Sequence, residues 1–127
     1  HIGVLPQSDK TFKFKGKKKS EKKNIMRDAK ILEKAGAFSM VLECVETSLA
    51  KQVTKSVYVP TIGIGASNNC DGQILVFDDL INLKKNPKKL KFVKSYLNFT
   101  KLSKIAVKNY NKEIKNRKFP NKNYSYS

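Results

Sequence analysis

Apolar residues in this chain fall into two patterns. In three places they form short continuous runs: Met40-Val41-Leu42 within residues 37–43, Thr61-Ile-Gly-Ile-Gly65, and Ile74-Leu-Val-Phe77 within residues 71–77. Runs of this length, without polar alternation, predict strands buried on both faces. Elsewhere they recur every three or four positions. Ile25, Ala29 and Leu32, with Met26 and Ala35 beside them, predict a helix that starts near Ser20 as N-cap and stops at Gly36. Residues 48–56 predict a second, short helix capped by Thr47 or Ser48. A short helix is expected over residues 91–98. A longer one is expected from Thr100 to about Lys118, where Leu102, Ala106 and Glu113/Ile114 share a face with Ile105 beside them.

The remaining segments read as connections. His1-Ile-Gly-Val looks like the end of a strand running into a loop at Pro6, and a first residue other than Met suggests a piece of a longer protein. Residues 9–19 predict a basic loop with a short alternating piece at Phe12–Phe14 and a solvated tip at Gly16. The tail 119–127 carries Pro120, which stops a helix, and is expected to have little to pack with.

Strands that alternate with helices, and that are uniformly apolar, predict a parallel sheet covered by helices, hence an α/β fold. Two architectures fit, an open doubly wound sheet or part of a (β/α)8 barrel. A complete barrel takes about 250 residues. Strand endings at His1, Glu43, Ser67 and Asp78/Asp79 would supply four strands, or half a barrel. The expected organisation is therefore one partial domain over 1–127, with strand–helix repeats over about 1–83 and C-terminal helices and tail over about 84–127.

Composition sharpens this only in part. The 127 residues carry a formal net charge of +17 and are 39% hydrophobic, with a mean hydropathy of −0.51. That is a thin core for one small domain. No apolar run approaches the roughly 18 residues of a membrane span. A strongly basic small protein invites a nucleic-acid reading. However, arginine occurs only at Arg27 and Arg117, and Lys is a point charge where Arg is the bidentate reader of bases. Specific nucleic-acid recognition is therefore not expected as the primary role, although salt-sensitive attraction to polyanions is. The two cysteines, Cys44 and Cys70, form no CxxC pair. Cys44 reads as a small buried hydrophobe rather than a nucleophile, since the one histidine is at position 1.

Parallel α/β folds gather function at the C-terminal ends of their strands. Four segments would converge there: His1 with Gly3, Glu43, the glycine-rich Gly63–Ser67, and Asp78/Asp79. The glycine-rich piece lacks the Gly-Lys-Ser/Thr ending of a phosphate loop and reads as a tight exit turn. Asp79 reads as a helix cap. Glu43 is open between two readings. It sits where a base of raised pKa would sit, and it is equally a place for a carboxylate satisfied by backbone N–H groups or an ion pair.

The blocks HIGVLPQS, DAKILEKAGAFSMVLECV, LAKQVTKSVYVPTIGIGAS, CDGQILVFDD and PKKLKFVKSY, with the closing FP, occur in this order over almost the whole chain. Together they resemble the second half of the ketopantoate hydroxymethyltransferase family. Another keto-acid barrel enzyme, a lyase or mutase using Mg²⁺, would not be expected to share LECV, PTIGIGA and CDGQ together. The resemblance implies the C-terminal half of a (β/α)8 TIM barrel, in cytoplasmic subunits assembled into homo-oligomers, commonly decamers. It implies transfer of a hydroxymethyl group from 5,10-methylenetetrahydrofolate to 3-methyl-2-oxobutanoate, with Mg²⁺ chelated by the keto acid. It places Glu43 at the catalytic base and His1 at a histidine lining the substrate pocket. Gly65 and Ser67 would shape that pocket near the substrates.

The resemblance also implies that the Mg²⁺-binding acids and a substrate-binding lysine lie in the other half of the barrel. Asp71, Asp78 and Asp79 do not match those positions. The family usually has Pro where Glu46 stands, Gly at Ser67 and His-Asp at Asp78-Asp79. It has a glycine near Asn82-Leu83, and acidic residues with a His around Lys122-Asn123-Tyr124. Half a barrel leaves open edges and an uncovered inner face. The isolated chain is thus expected to fold poorly and to lack activity. The contrasting expectation is a noncatalytic lysine-rich fragment that binds nucleic acid or a partner.

Overall fold

The structure is a computed structural model describing residues 1–4, 13–83 and 90–126. The expected strand at Phe12–Phe14 therefore falls partly outside the described residues. The rest divides into two compact units, one of residues 1–75 with 90–93 and one of residues 76–83 with 94–126.

The first unit is a four-stranded parallel sheet, β1 (Ile2–Gly3), β2 (Met40–Glu43), β3 (Thr61–Ile64) and β4 (Gly72–Gln73), with helices α1 (Lys19–Lys34) and α2 (Thr47–Ser56) packed on it. The spatial order is β1-β2-β3-β4. Doubly wound sheets reverse their strand order at a switch point. This sheet does not, and its sequential order is that of a (β/α)8 barrel wall. In-register pairing sets Gly3 beside Glu43 and Glu43 beside Ile64.

Alternation along β2 divides its side chains between the two faces. Met40 and Leu42 are buried in a cluster with Ile25 and Ala29 of α1 and Leu49, Ala50 and Val53 of α2. Val41 and Glu43 therefore face the opposite, inner side. Gly72 leaves room there, because a Cβ on it would lie 2.9 Å from Ile62 Cδ1.

Helix ends show where residue preferences were overridden. Gly36 closes α1 as expected. At φ +90° its N–H bonds to Glu33 O while Ala37 N–H bonds to Leu32 O, the two reverse bonds of a Schellman motif. At the other end the N-cap is Lys18, without a side-chain cap, and Ser20 lies inside the helix. Helix α2 is capped by Glu46 rather than Thr47 or Ser48. Its carboxylate accepts the N–H groups of Ser48 and Leu49 at 3.0 Å each. Glu46 N–H also bonds to Lys15 O, which holds the residue before the first turn. Gly16 is not a solvated tip. It is buried, its N–H bonds to Glu21 Oε2, and a Cβ on it would sit 2.5 Å from Leu49 Cδ2.

Strand β4 is shorter than the expected 71–77 because its partner ends. Ile74 N–H bonds to Gly63 O, and one residue past β3 the chain turns at Gly65, φ +62°. Beyond Ile74 no ladder remains to join.

Residues 74–76 form no strand, so in the second unit Asp78 and Asp79 do not stand at a strand end. They lie in the first turn of the short helix α3 (Phe77–Leu80), whose N-cap is Val76, so neither aspartate is the cap. Acids there still complement the helix dipole. No helix forms over residues 91–98. In that stretch Tyr96 N–H, a donor a helix would need, bonds instead to Leu80 O, and the Ser95 hydroxyl donates to Asp79 O, so both satisfy the end of α3. Helix α4 (Phe99–Lys115) is capped by Asn98. The tail does pack. The Phe119 ring lies 5.5 Å from that of Tyr110 and 5.6 Å from that of Tyr124.

Candidate active site

The site forms where β1 and β2 end. The first strand does not end at His1 but begins after it, and Gly3 is the residue set beside Glu43; His1, two residues earlier on the same inner face, reaches Glu43 with its side chain. His1 Nε2 lies 3.1 Å from Glu43 Oε2. The Glu43 side chain is 13% exposed and that of His1 33%. One edge of the imidazole thus meets water while the carboxylate is largely enclosed.

Backbone bonds fix the carboxylate's position. Val4 N–H bonds to Glu43 O at 2.9 Å, Cys44 N–H to Ile64 O at 2.9 Å, and Lys15 N–H to Cys44 O at 2.8 Å. Cys44 takes φ 50°, an uncommon left-handed conformation for a residue with a side chain, and so turns the chain immediately after the acid. Gly3 is required at its place. Its φ is +108°, and a Cβ on it would fall 2.0 Å from Glu43 O.

Electrostatics separates the acids by role. Burial pushes the Glu43 carboxyl above the ordinary glutamate range, because removing water disfavours the charged form. Burial and then the neighbouring Glu43 charge push the Cys44 thiol up as well, which keeps it protonated and unreactive. Glu46 is held below the usual range, first by the Ser48 hydroxyl and then by backbone N–H groups at the start of α2. Asp71 is also held low, chiefly by the N–H and then the hydroxyl of Thr61. Its Oδ2 accepts both, at 2.8 and 3.0 Å, and the buried Thr61 hydroxyl also lies 2.8 Å from that of Thr54. Asp71 therefore ties β4 to the start of β3, at the end of the sheet away from Glu43. Residue spacing gave no signal for this network, although an Asp preceding a short strand is a common place for one.

His1 and Glu43 are brought together. Gly65 and Ser67 are engaged with their own surroundings. A Cβ on Gly65 would lie 2.6 Å from Phe92 Cγ, so this glycine seats an aromatic ring. Ser67 is buried. Its Oγ accepts from the N–H and Nδ2 of Asn69, and its carbonyl accepts from Gln73 Nε2 at 2.7 Å. Both shape the turn after β3. Among the described residues no three His, Cys, Asp or Glu side chains gather to hold a metal ion. Chemically, the strand ends supply one enclosed carboxylate of raised proton affinity with a hydrogen-bonding imidazole against it.

Known proteins resemble this chain over nearly all of its length. A family model described as ketopantoate hydroxymethyltransferase matches residues 1–122. A protein of Pelagibacter ubique named 3-methyl-2-oxobutanoate hydroxymethyltransferase is 59% identical over 126 residues, covering 99% of this chain and 48% of the relative. Proteins of the same name from Clostridium kluyveri and Sulfurimonas denitrificans are 50% and 48% identical, again over 99% of this chain and over 46% and 49% of theirs. The chain spans about half the length of the curated relatives it matches, in keeping with a sheet of four strands where a full barrel has eight. With the match running from His1 before β1 through helix α4, the chain belongs to the ketopantoate hydroxymethyltransferase family.

Proposed function

We propose that this chain contributes the proton-abstracting base to the transfer of a hydroxymethyl group onto 3-methyl-2-oxobutanoate, forming 2-dehydropantoate. The observation that carries the reading is the enclosed Glu43 carboxylate at a parallel strand's C-terminal end, with His1 Nε2 at 3.1 Å. The relatives' name supplies the acceptor and the group transferred. A new carbon–carbon bond at C3, next to the keto carbon, requires that C3 first lose a proton. That carbon is a very weak acid. A carboxylate whose proton affinity is raised by burial is the better base for it. Glu43 takes the C3 proton, and the electron pair of the broken C–H bond becomes the enolate that attacks the one-carbon unit. His1 holds Glu43 Oε2 in place through Nε2 and, as the imidazolium, also offers its second ring N–H to a substrate oxygen. Gly65 and Ser67 set the outline of the pocket from the turn after β3.

5,10-Methylenetetrahydrofolate is the proposed one-carbon donor and Mg²⁺ the proposed metal. The described residues do not by themselves form a metal site, and the metal's ligands are assigned to the other half of the barrel. In this reading the active unit is a complete barrel within a cytoplasmic homo-oligomer. The 127-residue chain alone has no turnover. No helix among the described residues is long and apolar enough to cross a membrane.

The test follows the C3 proton. The intact protein is incubated with 3-methyl-2-oxobutanoate in D₂O, and loss of the C3–H signal is followed by NMR. Glu43→Gln should slow both this exchange and overall turnover by about 10²–10⁴-fold, the range for a lost general base, while the keto acid still binds. Exchange at the wild-type rate would remove Glu43 from the role of base.

A further inference from the structure

Helix α4 carries a charge pattern that proton abstraction does not use. Successive helical residues turn by about 100°. On that basis Lys101, Lys104, Lys108, Lys112 and Lys115 fall within about 80° of arc. Phe99, Leu102, Ala106, Tyr110 and Ile114 lie on the opposite side. All five lysines are exposed, and among the described residues none forms an ion pair. On α1, by contrast, two of the lysines have acidic partners, Lys30 at Glu33 and Lys22 near Glu46, and Lys19, Lys23 and Lys34 do not form a row with the α4 spacing. The helix dipole accounts for Lys112 and Lys115 in the last turn. It does not account for Lys101, Lys104 and Lys108. At about 1.5 Å of rise per residue the row is about 21 Å long, with a charge every 4–6 Å.

We propose that this lysine row is a docking surface for the phosphate backbone of nucleic acid, without base recognition. A regularly spaced line of unpaired ammonium groups complements a regularly spaced line of phosphates, and each contact releases a counterion. Lysine contacts phosphate as a point charge. Neither arginine, Arg27 or Arg117, lies on α4, so the usual bidentate base contact has no donor there. A lipid surface fits less well. Insertion as an amphipathic helix would press the apolar side of α4 into hydrocarbon, and Glu113 falls within the arc of that side. Tyr110 is moreover already engaged with Phe119.

The experiment measures binding of a short labelled oligouridine to the intact protein by fluorescence anisotropy across a salt series. The triple variant Lys104→Gln/Lys108→Gln/Lys112→Gln is compared with Lys23→Gln/Lys51→Gln/Lys55→Gln, which removes the same charge from exposed positions on α1 and α2. The α4 triple should weaken binding by about tenfold or more and flatten the log–log salt slope by about 2, at about 0.7 per single-strand phosphate contact. The control triple should change affinity by less than about twofold. Arginine at the same three α4 positions should preserve binding. In the wild-type protein, bound oligouridine should shield Lys104, Lys108 and Lys112 from acetylation and leave Lys51 and Lys55 reactive, a readout independent of variant folding. Equal losses in both triples, equal shielding of all lysines, or α4-dependent binding to anionic phosphatidylserine vesicles with none to oligouridine would each overturn the proposal.

Discussion

His1 Nε2 and Glu43 Oε2 stand 3.1 Å apart because His1, just before β1, and Glu43, the last residue of β2, lie on the same face of neighbouring parallel strands. The pair is thus a product of register. If β1 slipped by one residue, His1 would turn to the helix side and the carboxylate would lose its neighbour.

This contact sets a pH dependence. An imidazole hydrogen-bonded to the carboxylate favours its charged form, and burial opposes it. His1→Ala should therefore move the acidic limb of the kcat/KM profile of the intact enzyme to higher pH and lower kcat by about tenfold. A limb that stayed in place while only KM rose would make His1 a binding residue alone.

Glu43 also carries a stability consequence of definite sign. Its folded-state pKa lies above the unfolded value, so the folded protein binds its proton more tightly. Stability from this group is full below the unfolded pKa and is lost as pH rises through the folded one. Glu43→Gln should leave Tm near wild type at about pH 4 and raise it at about pH 8. A Tm lowered at the higher pH would show that the charged carboxylate is held favourably.

Asp71 has the opposite sign. The Thr61 N–H and hydroxyl hold its folded pKa low. Its contribution is present above the unfolded pKa and lost as pH falls through the folded one. Asp71→Ala should lower Tm at neutral pH, and the difference from wild type should shrink on acidification. Thermal melts across pH would show a constant difference instead if Asp71 acted only through packing.

Two glycines with similar φ angles predict different costs. Gly36 has open space where a Cβ would stand, so Gly36→Ala should cost only the left-handed backbone strain, about 1–2 kcal/mol. Gly3→Ala adds a clash with Glu43 O and should cost about 2–4 kcal/mol. It should also reduce activity by displacing the base. Chemical denaturation of the two variants gives the comparison directly, and equal costs would contradict the clash at Gly3.

Much of this architecture is written in local patterns. The runs at Met40 and Thr61 and the spacing of Ile25, Ala29 and Leu32 are set by burial, which decides element type, and they appear where expected. Gly36 is legible because few other residues take its φ. What was not legible depends on partners distant in sequence. Ser20 and Thr47 are good caps by residue type, yet Ser20 lies inside α1 and Thr47 is the first residue of α2, which is capped by Glu46, held in place by Lys15. The apolar stretch 74–77 has strand character but meets the end of β3. Residues 91–98 have helical spacing, but the Tyr96 N–H is bonded to the end of α3 and no helix forms. At the site, position alone could not choose between a satisfied structural Glu43 and a base. Family resemblance supplied the role, and the sheet register supplied the imidazole against the carboxylate.

The segment from Glu43 to Glu46 is tied at nearly every peptide, to Val4, Ile64, Lys15 and the first turn of α2. As the proposed base, Glu43 mounted this way would have little freedom to rearrange between one turnover and the next. Its amides, at Cys44 and Glu46, should be among the slowest in the protein to exchange with solvent. Any conformational gating of catalysis then has to come from the groups that approach Glu43, with the carboxylate serving as the fixed point against which they move.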